Sequence, residues 1–305
     1  MSLYNKYRPR KFSEIVGNKE ALVSLNGVLK KRMRPHVFLL KGPTGCGKTT
    51  LARIIAHKLG CKSNDINEVD AADFRGVDTV RTIRQNSKFK SMSGGNRMWI
   101  LDECHQMTRD AQTALLKLLE DPPDHVYIAM CTTDPSKLLP TLRGRCLEFE
   151  VGILHDREIY VLLKRIVDGE KEKLSKNVYK RIISASEGHP RNAVQILEQV
   201  LSVPSKERLA VAERAEDFET AIIDLCRICL KQNVTWIEVA RVLRGLKGEN
   251  PENVRRAIMG YCSAVLIKGR DFQAAGFLME QMKDNFYDSG FHGVVHALYS
   301  FVKLK

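Results

Sequence analysis

The segment Gly42-Pro43-Thr44-Gly45-Cys46-Gly47-Lys48-Thr49 reads G-x-x-x-x-G-K-T, a spacing suited to a polyphosphate. Its glycines let backbone amides turn inward on anionic oxygens, and a helix starting at Thr49-Thr50 adds its partial positive charge. Lys48 is then placed to reach the β- and γ-phosphates and Thr49 to ligate Mg2+. Further on, Leu101-Asp102-Glu103 sets two acids at the end of an apolar run. Asp102 suits a Mg2+ ligand, directly or through water, and Glu103 a group that polarises an attacking water. Two carboxylates beside a triphosphate require the metal and Lys48 to offset their charge.

Three further groups belong beside that pair. Thr132-Thr133 follows another apolar run, where a hydroxyl can orient water near the γ-phosphate. Gly188-His189-Pro190-Arg191 opens a helix, with Pro190 suited to its first turn; Arg191 either points back at the phosphates or is an ordinary surface arginine. Arg143-Gly144-Arg145-Cys146 precedes the last apolar run. An arginine there lies too far around a sheet for its own nucleotide, but suits a neighbour's γ-phosphate as a finger supplied in trans.

These groups need a scaffold. Apolar runs at Val37–Leu40, Ile66–Val69, Met98–Leu101, Val126–Met130 and Cys146–Phe149 read as strands, with helices over 50–56, 76–86 and 108–120. Strands alternating with helices predict an α/β fold with a parallel five-stranded sheet, its ligand beyond the strands' C-terminal ends. Beyond about residue 152 only helical patterns remain. Residues 1–152 are expected to form the nucleotide-binding domain, 153–204 a small helical lid and 205–305 a second helical domain, with a break from Gly245 to Pro251.

Lys and Arg exceed Asp and Glu by 49 − 36 = 13 in the 305 residues. Residues 1–100 carry 20 basic and 7 acidic side chains, and the remainder 29 of each, so the whole excess sits in the first third. Such a footprint suits a polyanion. No apolar run approaches the ~18 residues that span a bilayer, and the N-terminus lacks the apolar core of a secretory signal. The expectation is a cytoplasmic protein, or one found wherever DNA is handled, with its eight cysteines as thiols. Cys226 and Cys229 form a lone C-x-x-C in a helical apolar pattern; without a second pair they read as core.

Together these motifs resemble the AAA+ clamp-loader ATPases, namely the tau/gamma subunit of bacterial DNA polymerase III and the small subunits of replication factor C. The resemblance is specific over residues 2–200. Tyr7-Arg8-Pro9 with Phe12 and Ile15-Val16-Gly17 is similar to the family's N-terminal box, which packs around adenine. Ala114 to Pro123 resembles the helix after the acidic pair. Thr133 falls at the sensor-1 position and Arg191 at sensor 2. The resemblance implies ATP and Mg2+ as cofactors and a P-loop AAA+ domain, a lid and a helical collar. It implies a ring-like hetero-oligomer, by family a pentamer, acting on a sliding clamp and primer–template DNA, with no membrane partner. The stretch Asp73 to Arg84 resembles the helix facing the ring interior, which makes Arg75, Arg81, Arg84 and Lys117 candidate DNA contacts; an ordinary solvated helix face is the alternative for Arg81 and Arg84.

Two departures are visible. The family's finger motif is Ser-Arg-Cys, whereas Gly144-Arg145-Cys146 stands here, which leaves the local geometry of the finger open. Bacterial tau/gamma subunits carry a four-cysteine module after the first helix of the nucleotide-binding domain, and only Cys61 is near that place, so no zinc is expected. The compactness is similar to a replication factor C small subunit or a phage-encoded loader. Another AAA+ DNA motor, such as a branch-migration helicase, would share the phosphate loop.

Overall fold

The computed structural model describes residues 2–71, 73, 75–90, 94–267 and 272–305. It separates into two compact units, 1–203 and 204–305.

In the first unit a short helix α1 (Leu3–Lys6) and a 3-10 turn at Phe12–Glu14 precede α2 (Lys19–Leu29). There follow β1 (Val37–Lys41), α3 (Lys48–Lys58), β2 (Cys61–Asp70), α4 (Val77–Ser87), β3 (Asn96–Asp102), α5 (Arg109–Glu120), β4 (Val126–Thr132), α6 (Pro140–Arg143) and β5 (Leu147–Glu150). The strands form one five-stranded sheet in the order β2-β3-β4-β1-β5, with every recorded pairing parallel. The fold expected from the alternating pattern is therefore present.

Alternation along each strand divides the core. Phe38, Leu40, Met98, Ile100, Ala129 and Cys131 face α2 and α3, packing on Leu25, Leu51 and Ile55. Val37, Leu39, Trp99, Leu101, Ile128 and Met130 face α4 and α5, packing on Val80, Ile83 and Leu115. Strands buried on both faces are mostly apolar; Phe38, Leu39 and Leu40 are fully buried, and every residue of β4 is buried. β2 lies at the edge and alternates only weakly, with exposed Lys62, Ser63 and Asn64, as an edge strand tolerates.

The first unit continues with α7 (Asp156–Gly169), α8 (Lys176–Ser186) and α9 (Pro190–Leu201). Glu158 returns its carboxylate to the His155 backbone amide at 3.0 Å, a capping box that fixes where α7 begins. Pro190 occupies the first turn of α9, where its missing N–H costs nothing.

The second unit contains α10 (Arg208–Leu230), α11 (Trp236–Leu246), α12 (Pro251–Ile267), α13 (Phe272–Gln281) and α14 (Gly290–Leu304). Leu225, Val239, Ile258, Leu278 and Phe301 are central to its core. Cys226 and Cys229 are fully buried in α10. The break expected at Gly245–Pro251 is the turn between α11 and α12. Among the described residues no helix is long and apolar enough to cross a membrane.

Candidate nucleotide site

β1 delivers the chain into the loop at the C-terminal edge of the sheet, between β4 and β5. The Gly42 amide donates to the Thr132 carbonyl at 3.1 Å. Gly42 has φ +150, and a Cβ there would lie 2.0 Å from the Val151 carbonyl oxygen. Because backbone, not a flexible side chain, blocks that space, Gly42→Ala is expected to destabilise the chain by about 2–4 kcal/mol, measured as a fall in Tm. Gly45 and Gly47 follow at φ +77 and +98, left-handed values that turn the loop into the first turn of α3.

Lys48 is 5% exposed. Its ammonium donates to the Gly42 and Pro43 carbonyls, each at 2.8 Å, so one of its three N–H donors is left for an anion. The Thr49 hydroxyl donates to Asp102 Oδ2 at 2.6 Å. An alcohol and a carboxylate brought together are the hard oxygen donors Mg2+ takes, so these residues fit that ion. Asp102 ends β3, and Glu103 leaves it at φ +47.

The Thr133 hydroxyl donates to Glu103 Oε2 at 3.3 Å. His105 Nδ1 lies 3.3 Å from the same oxygen and 3.2 Å from Thr132 Oγ1. Burial raises the Glu103 pKa against the opposing charge of Lys48, which makes its carboxylate a stronger proton acceptor. Burial lowers the His105 pKa, assisted by Lys137 and Lys48 and opposed by Asp134, which favours the neutral ring. Lys48, Thr49, Asp102, Glu103 and Thr133 thus meet at the ends of β1, β3 and β4.

Beside them is a cavity lined by Tyr4, Tyr7, Arg8, Pro9 and Val16, by Gly45, Cys46, Gly47 and Thr50, and by Pro190 and Arg191. Leu3, Leu51, Leu154, Leu162 and Ile166 add apolar walls, a lining that suits a flat aromatic base. The Cys46 thiol is pushed up to about 11 by burial and stays protonated. His189 Nδ1 lies 3.0 Å from the Thr44 carbonyl oxygen, joining the start of α9 to the loop.

Gly17 does not line this cavity. It has φ +76, and a Cβ there would lie 2.3 Å from Leu154 Cδ2 and 2.9 Å from Glu158 Oε2. The glycine admits the cap of α7, a packing requirement. Its neighbour Asn18 makes the polar link: the Gly152 amide donates to Asn18 Oδ1 at 2.7 Å, and Asn18 Nδ2 donates back to the Gly152 carbonyl at 3.2 Å. Asn18, His105 and Tyr4 escaped the reading of motifs. The only trace of Tyr4 in the sequence is its four-residue spacing from Arg8.

Arg145 stands apart from these groups. It precedes β5 at the N-terminal end of the sheet, donates to the Thr141 carbonyl at 2.6 Å and pairs with Glu120. Gly144 has ordinary helical geometry, and a Cβ there would meet nothing closer than the Pro140 carbonyl at 3.4 Å. Glycine is therefore not demanded by the backbone at this position.

Arg75 and Lys117 are exposed, on the segment before α4 and on α5. Arg81 is exposed and pairs with Asp78 at 2.8 Å; Arg84 is half-buried. The Thr108 amide donates to the Arg75 carbonyl at 3.1 Å, tying the two segments together. Phe74, within the stretch resembling the ring-facing helix, lies outside the described residues.

A family model described as DNA polymerase III, delta subunit, matches residues 70–154. The DNA polymerase III subunit gamma/tau of Mycobacterium tuberculosis (strain H37Rv) is 35% identical over 225 residues, 66% of this chain and 39% of that protein. The DNA polymerase III subunit tau of Bacillus subtilis is 32% identical over 222 residues, covering 66% and 39%; that of Escherichia coli K12 is 31% identical, covering 66% and 34%. The chain thus matches less than half the length of these curated relatives. Among solved structures, the Thermotoga maritima RuvB Holliday junction branch migration motor superimposes with a TM-score of 0.61 at 21% identity, over 78% of this chain and 85% of that one, a likeness of fold alone. With a parallel five-stranded sheet and a complete phosphate loop, the chain is similar over two thirds of its length to the DNA polymerase III gamma/tau subunits.

Proposed function

We propose that the chain is an ATP-hydrolysing subunit of a DNA polymerase sliding-clamp loader. What carries the reading is the convergence of Lys48, Thr49, Asp102, Glu103 and Thr133 in a chain whose relatives are named for DNA polymerase III. Lys48 holds the β/γ-phosphate oxygens with its remaining N–H. Thr49 and Asp102 would hold Mg2+, which would supply positive charge to offset that of the phosphates. Glu103 accepts a proton from the attacking water, and Thr133 keeps its carboxylate in place. Tyr7, Arg8, Pro9, Val16, Thr50 and Pro190 surround the adenosine, and Arg191 reports the terminal phosphate to the lid. Arg145 completes the site of an adjoining subunit.

In this reading ATP binding orders an open spiral of several subunits, at least one of them different, that opens and holds the clamp. Primer–template DNA then triggers hydrolysis and release. A loader works at any primer end, so its DNA contacts are to phosphate, with Arg75, Arg81, Arg84 and Lys117 as the cations. The test is phosphate release by co-expressed subunits with and without clamp and primed DNA. Turnover is expected to rise when both are present, and the stimulation to fall steeply with salt as phosphate contacts are screened. Turnover indifferent to clamp and DNA, or strand displacement by the chain, overturns the proposal.

A further inference from the structure

Tyr4 lies between the lid and the nucleotide cavity. The Arg8 and Arg191 guanidiniums both sit over its ring, 4.7 and 5.1 Å from the centroid, and Arg191 Nη2 donates to its hydroxyl at 3.1 Å. Burial of the phenol works to raise its pKa, yet hydrogen bonds and positive charge from both arginines bring it below the ordinary tyrosine value. The Nε atoms of Arg8 and Arg191 are buried with no hydrogen-bond partner, a costly arrangement for charged donors. Two guanidiniums gathered on one aromatic ring at the mouth of a phosphate loop, each with a buried Nε unpaired, are a preformed place for negative charge.

The backbone limits how this cluster can move. A Cβ on Gly45 would lie 3.3 Å from Arg191 Cβ, so the root of Arg191 rests against the loop and only its side-chain torsions decide where the guanidinium ends. Holding a free arginine in one position costs rotamer entropy. α1 is tied to the helix that carries Arg191, the Leu3 amide donating to Glu198 Oε1 at 3.1 Å. It is also tied to α7's end, through the Tyr7 hydroxyl donating to Glu170 Oε1 at 2.6 Å. Tyr4 thus travels with α9 and the guanidinium it touches.

We infer that Tyr4 is a positioning residue that presets the reach of Arg191 to the terminal phosphate, so that the preference for ATP over ADP depends on α1. This rests on the nucleotide reading above. A contact of this kind is worth about a tenfold change in affinity when it is partly desolvated.

The experiment is calorimetric titration of the full chain, with Mg2+, against ADP and against a slowly hydrolysed ATP analogue. Tyr4→Leu is expected to weaken the analogue about tenfold and ADP less than twofold. Tyr4→Phe, which keeps the ring and loses the hydroxyl, falls between Tyr4→Leu and the parent. In an Arg191→Ala background, Tyr4→Leu leaves the ratio of the two affinities where Arg191→Ala alone sets it. Equal weakening of both nucleotides, an unchanged ratio in Tyr4→Leu and Tyr4→Phe alike, or a full further change without Arg191 overturns the role of Tyr4. A parent chain that binds neither nucleotide refutes the nucleotide reading itself.

Discussion

A Glu103→Gln chain, assembled with its partners, is expected to bind ATP within a few-fold of the parent and to hydrolyse it about 10²–10⁴ times more slowly. The amide preserves the size of the side chain and an oxygen for the Thr133 hydroxyl, now 3.3 Å from Oε2. It cannot take a proton from water. Binding should persist because the phosphate-directed ammonium of Lys48 and the Thr49–Asp102 pair are separate from it: Asp102 bonds Thr49 through Oδ2 and receives the Glu103 amide on Oδ1. Calorimetry gives the affinity, and single-turnover phosphate release gives the rate. Turnover matching the parent removes Glu103 from the chemistry; loss of binding in step with turnover makes it a ground-state contact instead. The left-handed backbone at Glu103, φ +47, is an uncommon conformation for a non-glycine residue. It is held by the chain's exit from β3, and the substitution leaves it in place.

How far such a site can be read in advance depends on what the physics writes into local sequence. β1, β3 and β4 are covered on both faces, so each had to be an uninterrupted apolar run, and each appeared as one. β2 is five residues longer at its start and one at its end than the Ile66–Val69 pattern predicts. Its start, from Cys61 to Asp65, includes exposed polar side chains and a shift of register against β3 between Cys61 and Ile66, so periodicity had nothing to report there. Gly17 was legible as a glycine that matters, but not why. Only the distance to Leu154 and Glu158, far along the chain, reveals the packing need. His105 and Tyr4 were hidden for the same reason: their partners are brought to them by tertiary structure. The loop of Gly42 to Thr49 was legible because strand, loop and helix are contiguous, and its chemistry is local.

Arg145→Ala is expected to reduce DNA-stimulated ATP turnover of the assembled complex by about 10³-fold or more, while the nucleotide affinity of the isolated chain is unchanged. The sheet supplies the reason. β5 pairs with β1 in parallel, Phe38 opposite Leu147 and Lys41 opposite Glu150, so residue 145 is level with residue 36. Gly42 is six residues further along β1, roughly 20 Å at ~3.3 Å per residue, which no arginine side chain crosses. Arg145 is therefore at the opposite end of the sheet from its own phosphate loop. Its guanidinium is a third exposed, tethered to Glu120 and the Thr141 carbonyl, a posture suited to presentation toward another molecule. Arg145→Lys should not restore the rate, because a lysine places a point charge where a planar fork would grip two oxygens. Gly144→Ser, which brings the finger motif to its usual form, should leave the rate near the parent's, since space exists for the added Cβ. An assembled Arg145→Ala complex that hydrolyses ATP at the parental rate would remove Arg145 from its neighbour's site, and with it the coupling of one subunit's chemistry to the placement of the next.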